Sequence, residues 1–234
     1  MNLFGRTLDG PRLKAAAGET RQLVVLCHGY GADGNDLIGL ARHWQASLPH
    51  AAFVSPHAPE RCAMAGTGFQ WFSLSRMDPQ ETLRGAEAAA PLLNAFLDAE
   101  LARQGVPPER LALVGFSQGT MMALHVGLRR EVLPAAIVGF SGMLVAPERL
   151  PAFKGAAPPV LLTHGEADSV IPAGALFHAA GSLGAAGLPV RWHLAPGLGH
   201  GIDEVAMALA EHFLAEAFRG RLAQQAPISC SYPR

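Results

Sequence analysis

Five short, almost continuously apolar runs, at 23–27, 51–54, 111–114, 135–138 and 160–163, constrain this chain more than any other feature. Each runs into a turn carrying glycine or proline. Strands that read apolar on both faces belong to a parallel sheet covered on both sides. The segment 190–194 alternates instead, with Arg191 and His193 between apolar residues, and predicts a strand nearer the sheet edge. Residues 8–17 predict an antiparallel edge strand or hairpin.

Between these runs lie stretches of helical period. Residues 36–48 place Leu37, Leu40, Ala41 and Trp44 on one face, with Asp36 as the expected N-cap. The Ala-rich stretch 79–104 contains Pro91, which predicts a kink or two separate helices. Further helices are expected over 118–130, over 172–186 with Pro172 in the first turn, and over 203–219. Strands alternating with helices give an α/β fold with a mainly parallel sheet. One domain is expected over 1–222, followed by a loose tail over 223–234, where periodicity is lost.

Composition excludes several classes of function. Eighteen basic residues against nineteen acidic ones leave a net charge of −1 in 234 residues. That balance argues against nucleic acid as a partner. Half the residues are hydrophobic and 16% are charged, which fits a packed domain and not a disordered one. No apolar run approaches the roughly 20 residues of a membrane span. Cys27, Cys62 and Cys230 are odd in number and widely spaced, so neither a zinc site nor a disulfide framework is expected. These features predict a cytoplasmic protein, without integral membrane association, as a monomer or homodimer.

The chemistry is concentrated at the strand ends. Gly115-Phe116-Ser117-Gln118-Gly119 follows the run 111–114 and opens a helix. G-x-S-x-G between strand and helix is the nucleophile elbow, in which a tight turn lifts a serine hydroxyl off the sheet edge. The helix N-terminus behind it favours a developing negative charge. A serine nucleophile needs a base, and the base an orienting acid, in the chain order serine, acid, histidine. Asp168 follows the run 160–163, and His200 lies between the strand at 190–194 and the last helix. Glu166 competes with Asp168 but sits too close to the strand end, and Asp203 reads as the cap of the last helix. His193 falls inside a strand and His212 inside a helix, which favours His200.

The glycine-rich loop His28-Gly29-Tyr30-Gly31-Ala32-Asp33-Gly34 leaves the first buried strand. It can turn the Tyr30 N–H toward the serine, with the Gln118 N–H as the second oxyanion donor. Without G-x-G-x-x-G or G-x-x-x-x-G-K-[ST], it argues against nucleotide binding. No metal-ligand motif is present.

The stretches LCHGYGADGNDL (26–37), FVSPHAP (53–59), WFSL (71–74), ALVGFSQGT (112–120), GFSGML (139–144), LLTHGEADSVIP (161–172) and GLGHGI (197–202) together resemble the phospholipase/carboxylesterase family of small α/β hydrolases. That family includes bacterial carboxylesterases and acyl-protein thioesterases. The resemblance implies an α/β-hydrolase fold with no large cap domain. It implies a serine hydrolase without cofactor or metal, acting on small-molecule esters, and it places nucleophile, acid and base on Ser117, Asp168 and His200. The oxyanion amides fall on Tyr30 and Gln118. Ser169 stands where the family usually has proline, and Tyr30 where a small or aliphatic residue is common.

The short connection 141–159 leaves no room for a cap, so an open groove is expected. Trp71, Phe72, Met143 and Leu144 are the expected groove residues, with ordinary core packing as the competing reading. Carboxylester hydrolysis, thioester hydrolysis, lysophospholipid hydrolysis and an inactive binding scaffold all remain open on sequence alone.

Overall fold

The computed structural model describes residues 7–62, 67–74, 78–151, 153 and 157–222. The expected tail, 223–234, lies outside the described residues, as do Cys230 and part of the loop before residue 78.

A seven-stranded sheet forms the centre, in the order β1 (Arg12–Leu13), β3 (Ala51–Val54), β2 (Gln22–Cys27), β6 (Leu111–Phe116), β7 (Ala136–Phe140), β8 (Val160–Gly165), β9 (Val190–Ala195). All pairings are parallel except β1 with β3, which makes β1 the expected antiparallel edge. β9 forms the opposite edge, as the alternating pattern predicts, but its Trp192, an apolar position of that alternation, is half exposed. A two-stranded hairpin of β4 (Glu60–Arg61) and β5 (Phe69–Gln70), not foreseen in the sequence, lies beyond β3.

Helices cover both faces. α2 (Pro79–Gln104), α3 (Gln118–Gly127) and α4 (Gly174–Ala185) contribute to the core built on one face, with Leu93, Leu97, Met121, Met122 and Leu183. α1 (Gly34–Trp44) and α5 (Glu204–Phe218) close the other, with Leu37, Trp44, Phe213 and Leu214. Each fully buried aliphatic or aromatic side chain contributes about 1.5–3 kcal/mol to this assembly. Trp44 is fully buried, and its indole N–H donates to the Met207 carbonyl at 3.2 Å, joining α1 to α5.

Three local expectations are corrected. α1 is capped by Asp33, whose carboxylate accepts the Asn35 N–H at 2.7 Å, and not by Asp36, which sits in the first turn. α2 runs as one 26-residue helix through Pro91, which overturns the expected division into two helices. Pro91 is on the exposed face, where water can take the carbonyl that its missing N–H leaves unpaired. Pro172 precedes α4, where its carbonyl accepts the Ala175 N–H at 2.9 Å.

The chain places β3 to one side of β2 and β6 to the other. Order therefore reverses between β2 and β6, and a crevice forms outside the carboxyl ends of strands at such a point. The His28–Gly34 loop leaves β2 there, and Ser117 follows β6.

The capping assignment is testable by urea unfolding. Asp33→Ala should lower stability by about 1 kcal/mol, and Asp36→Ala by less than half of that. The reverse order would return the cap to Asp36.

Candidate active site

Ser117 is a non-glycine residue at φ 53°, ψ −117°, between the end of β6 and the start of α3. Such a backbone costs about 1–3 kcal/mol and persists only where its surroundings fix it. Here the Ser117 N–H donates to the Phe140 carbonyl at 2.9 Å. The Thr120 hydroxyl lies within reach of Gly115 O at 2.8 Å and Phe140 O at 2.9 Å. The flanking glycines are required by close approach: a Cβ on Gly119 would fall 1.8 Å from Cys27 O, and one on Gly115 would fall 2.3 Å from Gly119 O. The motif thus pins α3 against the end of β2 and leaves Ser117 8% exposed.

Asp168 and His200 come together from two loops. Glu166 N–H donates to Ala195 O and Ala167 N–H to Leu198 O, both at 2.9 Å, so the loop after β8 is joined to the loop after β9. Ser141, at φ 44° after β7, donates its hydroxyl to Gly201 O at 3.0 Å and holds the far side of His200. Within this frame His200 Nδ1 donates to Asp168 Oδ2 at 2.7 Å. Asp168 Oδ1 accepts the Val170 and Ile171 N–H groups at 2.8 and 2.9 Å. Burial pushes the Asp168 carboxyl up, but the hydrogen bonds from His200, Ile171 and Val170 outweigh it and hold it below the ordinary carboxylate value. The Phe116 ring lies 5.0 Å from the His200 ring, bringing His200 to the elbow. No hydrogen bond joins Ser117 to His200 among the described residues. Such contacts are commonly long in an empty site and tighten around substrate.

The competing acids are accounted for otherwise. Glu166 accepts the Gly197 N–H at 3.1 Å, and Asp203 caps α5 through the Ala206 N–H at 2.7 Å. Cys27 is fully buried, which pushes its thiol up to about 12 and leaves it inert. Among the described residues no cluster is arranged to hold a metal ion.

The loop after β2 supplies the other wall. No hydrogen bond takes up the backbone N–H of Tyr30 or of Gln118 among the described residues. Burial, with the Cys62 side chain beside it, pushes the Tyr30 phenol up to about 12. His28 is fully buried: its Nδ1–H donates to Gly29 O at 2.7 Å and its Nε2 accepts the Ala58 N–H at 2.9 Å. Burial lowers its pKa, in keeping with a neutral strut.

Trp71 and Phe72 are placed differently from the groove expectation. They are 1% and 4% exposed and belong to the core. The Trp71 indole N–H donates to His28 O at 2.9 Å, and the Trp71 amide N–H donates to Gln118 Oε1 at 2.9 Å. Gln118 Nε2 in turn donates to Phe72 O at 2.8 Å. The 71–72 segment is therefore a brace between the two loops, which sequence periodicity could not reveal. Leu144 is also buried, at 4% exposure, while Met143 is half-buried. Both border a groove of about 630 Å³ between α2 and the connection after β7, with Leu83, Arg84, Arg149 and His178. Ser141, His28, His164 and the Gln118 side chain are functional candidates that motif reading missed. For His28 and His164 the shared sequence signal is a His-Gly pair, just after β2 and at the end of β8; Ser141 and the Gln118 side chain carry no such signal.

The sequence profile of the Phospholipase/Carboxylesterase family matches residues 8–218. The crystal structure of esterase PE8 is similar at TM-score 0.86 and 44% identity, covering 91% of this chain and 100% of that one. Esterase YpfH of Escherichia coli is 30% identical over 210 residues, 86% of this chain and 88% of that protein. Acyl-protein thioesterase 1 of Gibberella zeae is 27% identical over 220 residues, 87% of this chain and 94% of that protein.

The lowered Asp168 value makes a stability prediction. A carboxylate depressed in the folded state stabilises above its unfolded value, near pH ~3.9, and loses that contribution as pH falls through the folded value. The stability gap between the wild type and Asp168→Asn should be full at neutral pH and close below about pH 4. A gap constant between pH 3 and pH 8 would contradict the hydrogen-bonded carboxylate.

Proposed function

The chain belongs to the phospholipase/carboxylesterase family, and on that premise we propose that it is a serine carboxylesterase that hydrolyses short- to medium-chain carboxylic esters through an acyl-enzyme intermediate. One observation carries this reading: Ser117 stands on a strained elbow near two free backbone N–H groups and an imidazole bonded at 2.7 Å to a buried carboxylate. Ser117 Oγ attacks the ester carbonyl while His200 Nε2 takes its proton. Asp168 holds His200 in the tautomer with the proton on Nδ1 and stabilises the imidazolium. The Tyr30 and Gln118 N–H groups receive the negative charge on the carbonyl oxygen, where one such donor is worth roughly 10²–10³ in rate. The alcohol leaves with the proton from His200, and water repeats the sequence on the acyl-enzyme.

The absence of a cap over the described residues supports an open site, with Met143 and Leu144 in the groove beside α2 as the surface offered to the acyl chain. A second reading keeps the same residues and exchanges ester for thioester. It is favoured by relatives named acyl-protein thioesterase 1. No described helix is long and apolar enough to cross a membrane. The proposal includes a cytoplasmic enzyme, monomeric or homodimeric, that needs no metal or organic cofactor.

Ser117→Ala should fold normally and lose on the order of 10⁴-fold in kcat. A Ser117→Ala protein of near wild-type activity would end the proposal. In a chain-length series, each methylene that enters the groove should gain up to about 0.8 kcal/mol in kcat/KM, until the groove ends and the gain stops. Met143→Trp should move that peak to shorter chains. Best activity on long-chain triglyceride emulsions would contradict the open groove. Running the same series as thioesters decides between the two readings by which leaving group gives the higher kcat/KM.

A further inference from the structure

His164 lies in β8 four residues before Asp168, has no part in the acyl transfer above, and is 2% exposed. Its Nε2 is 2.8 Å from the Ile171 carbonyl oxygen and 3.2 Å from Asp168 Oδ2. A carbonyl oxygen only accepts, so Nε2 carries the proton and donates it to Ile171 O, with Asp168 Oδ2 close beside the same N–H. The same Oδ2 takes the His200 Nδ1–H at 2.7 Å. One carboxylate thus accepts three hydrogen bonds, two backbone amides on Oδ1 and His200 on Oδ2, with the His164 N–H dipole 3.2 Å from Oδ2.

We propose that His164 is a positioning residue for the acid–base pair, whose Nε2–H fixes the loop carrying Asp168 and draws charge from the oxygen that faces His200. The inference rests on the proposed roles of Ser117, Asp168 and His200. Its first part is geometric. Ile171 N–H donates to Asp168 Oδ1 while Ile171 O receives His164, so β8, the acid and the end of its loop form one closed ring of hydrogen bonds. Its second part is electrostatic. The positive end of the His164 N–H dipole, 3.2 Å from Oδ2, offsets part of the carboxylate charge and weakens its hold on a protonated His200. A base must be neutral to accept the serine proton, so His164 extends activity toward lower pH. Among the described residues, His164 and His200 are the titratable side chains in contact with Asp168. Glu166 is engaged by Gly197 N–H, Asp203 caps α5, and Phe116, Ser117 and Ser141 bring no charge.

The test uses kcat/KM against pH for a short-chain p-nitrophenyl ester, with three variants. His164→Gln keeps an N–H donor near the Nε2 position. His164→Asn has the same amide but is too short, and His164→Phe keeps the ring and loses the donor. With Asn and Phe, kcat should fall about tenfold with KM within about twofold of wild type. The acid limb should also move up by about half a pH unit. Gln should recover most of both effects. If the Phe protein does not fold, the Asn–Gln pair makes the same comparison, with melting temperatures recorded for each. An unmoved acid limb, or a Gln variant no better than Asn, would overturn the proposal and leave His164 a core residue. Ser117→Ala and Asp168→Asn are assayed alongside. If both stay active, the triad reading falls and the role of His164 falls with it. If both are inactive while the acid limb of the His164 variants stays put, only the inference about His164 falls.

Discussion

The backbone of Ser117, held at a positive φ between β6 and α3, is the constraint on which the rest of the site depends. An unfavourable conformation of about 1–3 kcal/mol survives only if neighbouring contacts over-determine it. They come from three directions. The Phe140 carbonyl takes the Ser117 N–H, Thr120 bonds back to the ends of β6 and β7, and α3 presses against Cys27 through the missing side chain of Gly119. Each contact belongs to a neighbouring parallel strand, so the sheet itself stores the strain. The same geometry leaves the Gln118 N–H at the start of α3 without an acceptor among the described residues, which is where an oxyanion is best received.

Around that elbow the loops are tied to one another, not only to the sheet. Gln118 uses both ends of its side chain on the 71–72 segment, and Trp71 passes the connection to the His28 carbonyl in the loop carrying Tyr30. On the other side the loops after β8 and β9 share backbone hydrogen bonds, and Ser141 reaches Gly201. Two proposed oxyanion amides and a proposed acid–base pair are thus set by hydrogen bonds that lie beneath the open surface. A site so supported needs no cap to hold its geometry, which fits the open groove proposed for the substrate.

Much of this was legible in the sequence because it rests on period and chain order. Unbroken apolar runs found the parallel strands, the Arg191–His193 alternation found the edge strand, and G-x-S-x-G followed by Asp168 and His200 pointed to the residues proposed for the site. What escaped depends on local geometry or on contacts between distant loops. Asp36 has the right chemistry for a cap, but the backbone turns at Asp33. Pro91 breaks a helix only where its lost hydrogen bond cannot be replaced, and an exposed face replaces it with water. Trp71 in a long loop looks like a substrate wall, yet its indole N–H finds a carbonyl beneath the site. His164 looks like the last residue of a buried strand until Asp168 folds back against it.

The central claim is that Ser117, the amides of Tyr30 and Gln118, and His200 with Asp168 form one reaction centre. The most direct measurement is a crystal structure of the protein after reaction with a fluorophosphonate. The account predicts phosphorus bonded to Ser117 Oγ, with a phosphoryl oxygen about 2.7–3.1 Å from both the Tyr30 and Gln118 nitrogens and His200 Nε2 turned toward the leaving-group side. A phosphonyl group on another side chain, or on Ser117 with its oxygen turned away from those amides, would contradict it.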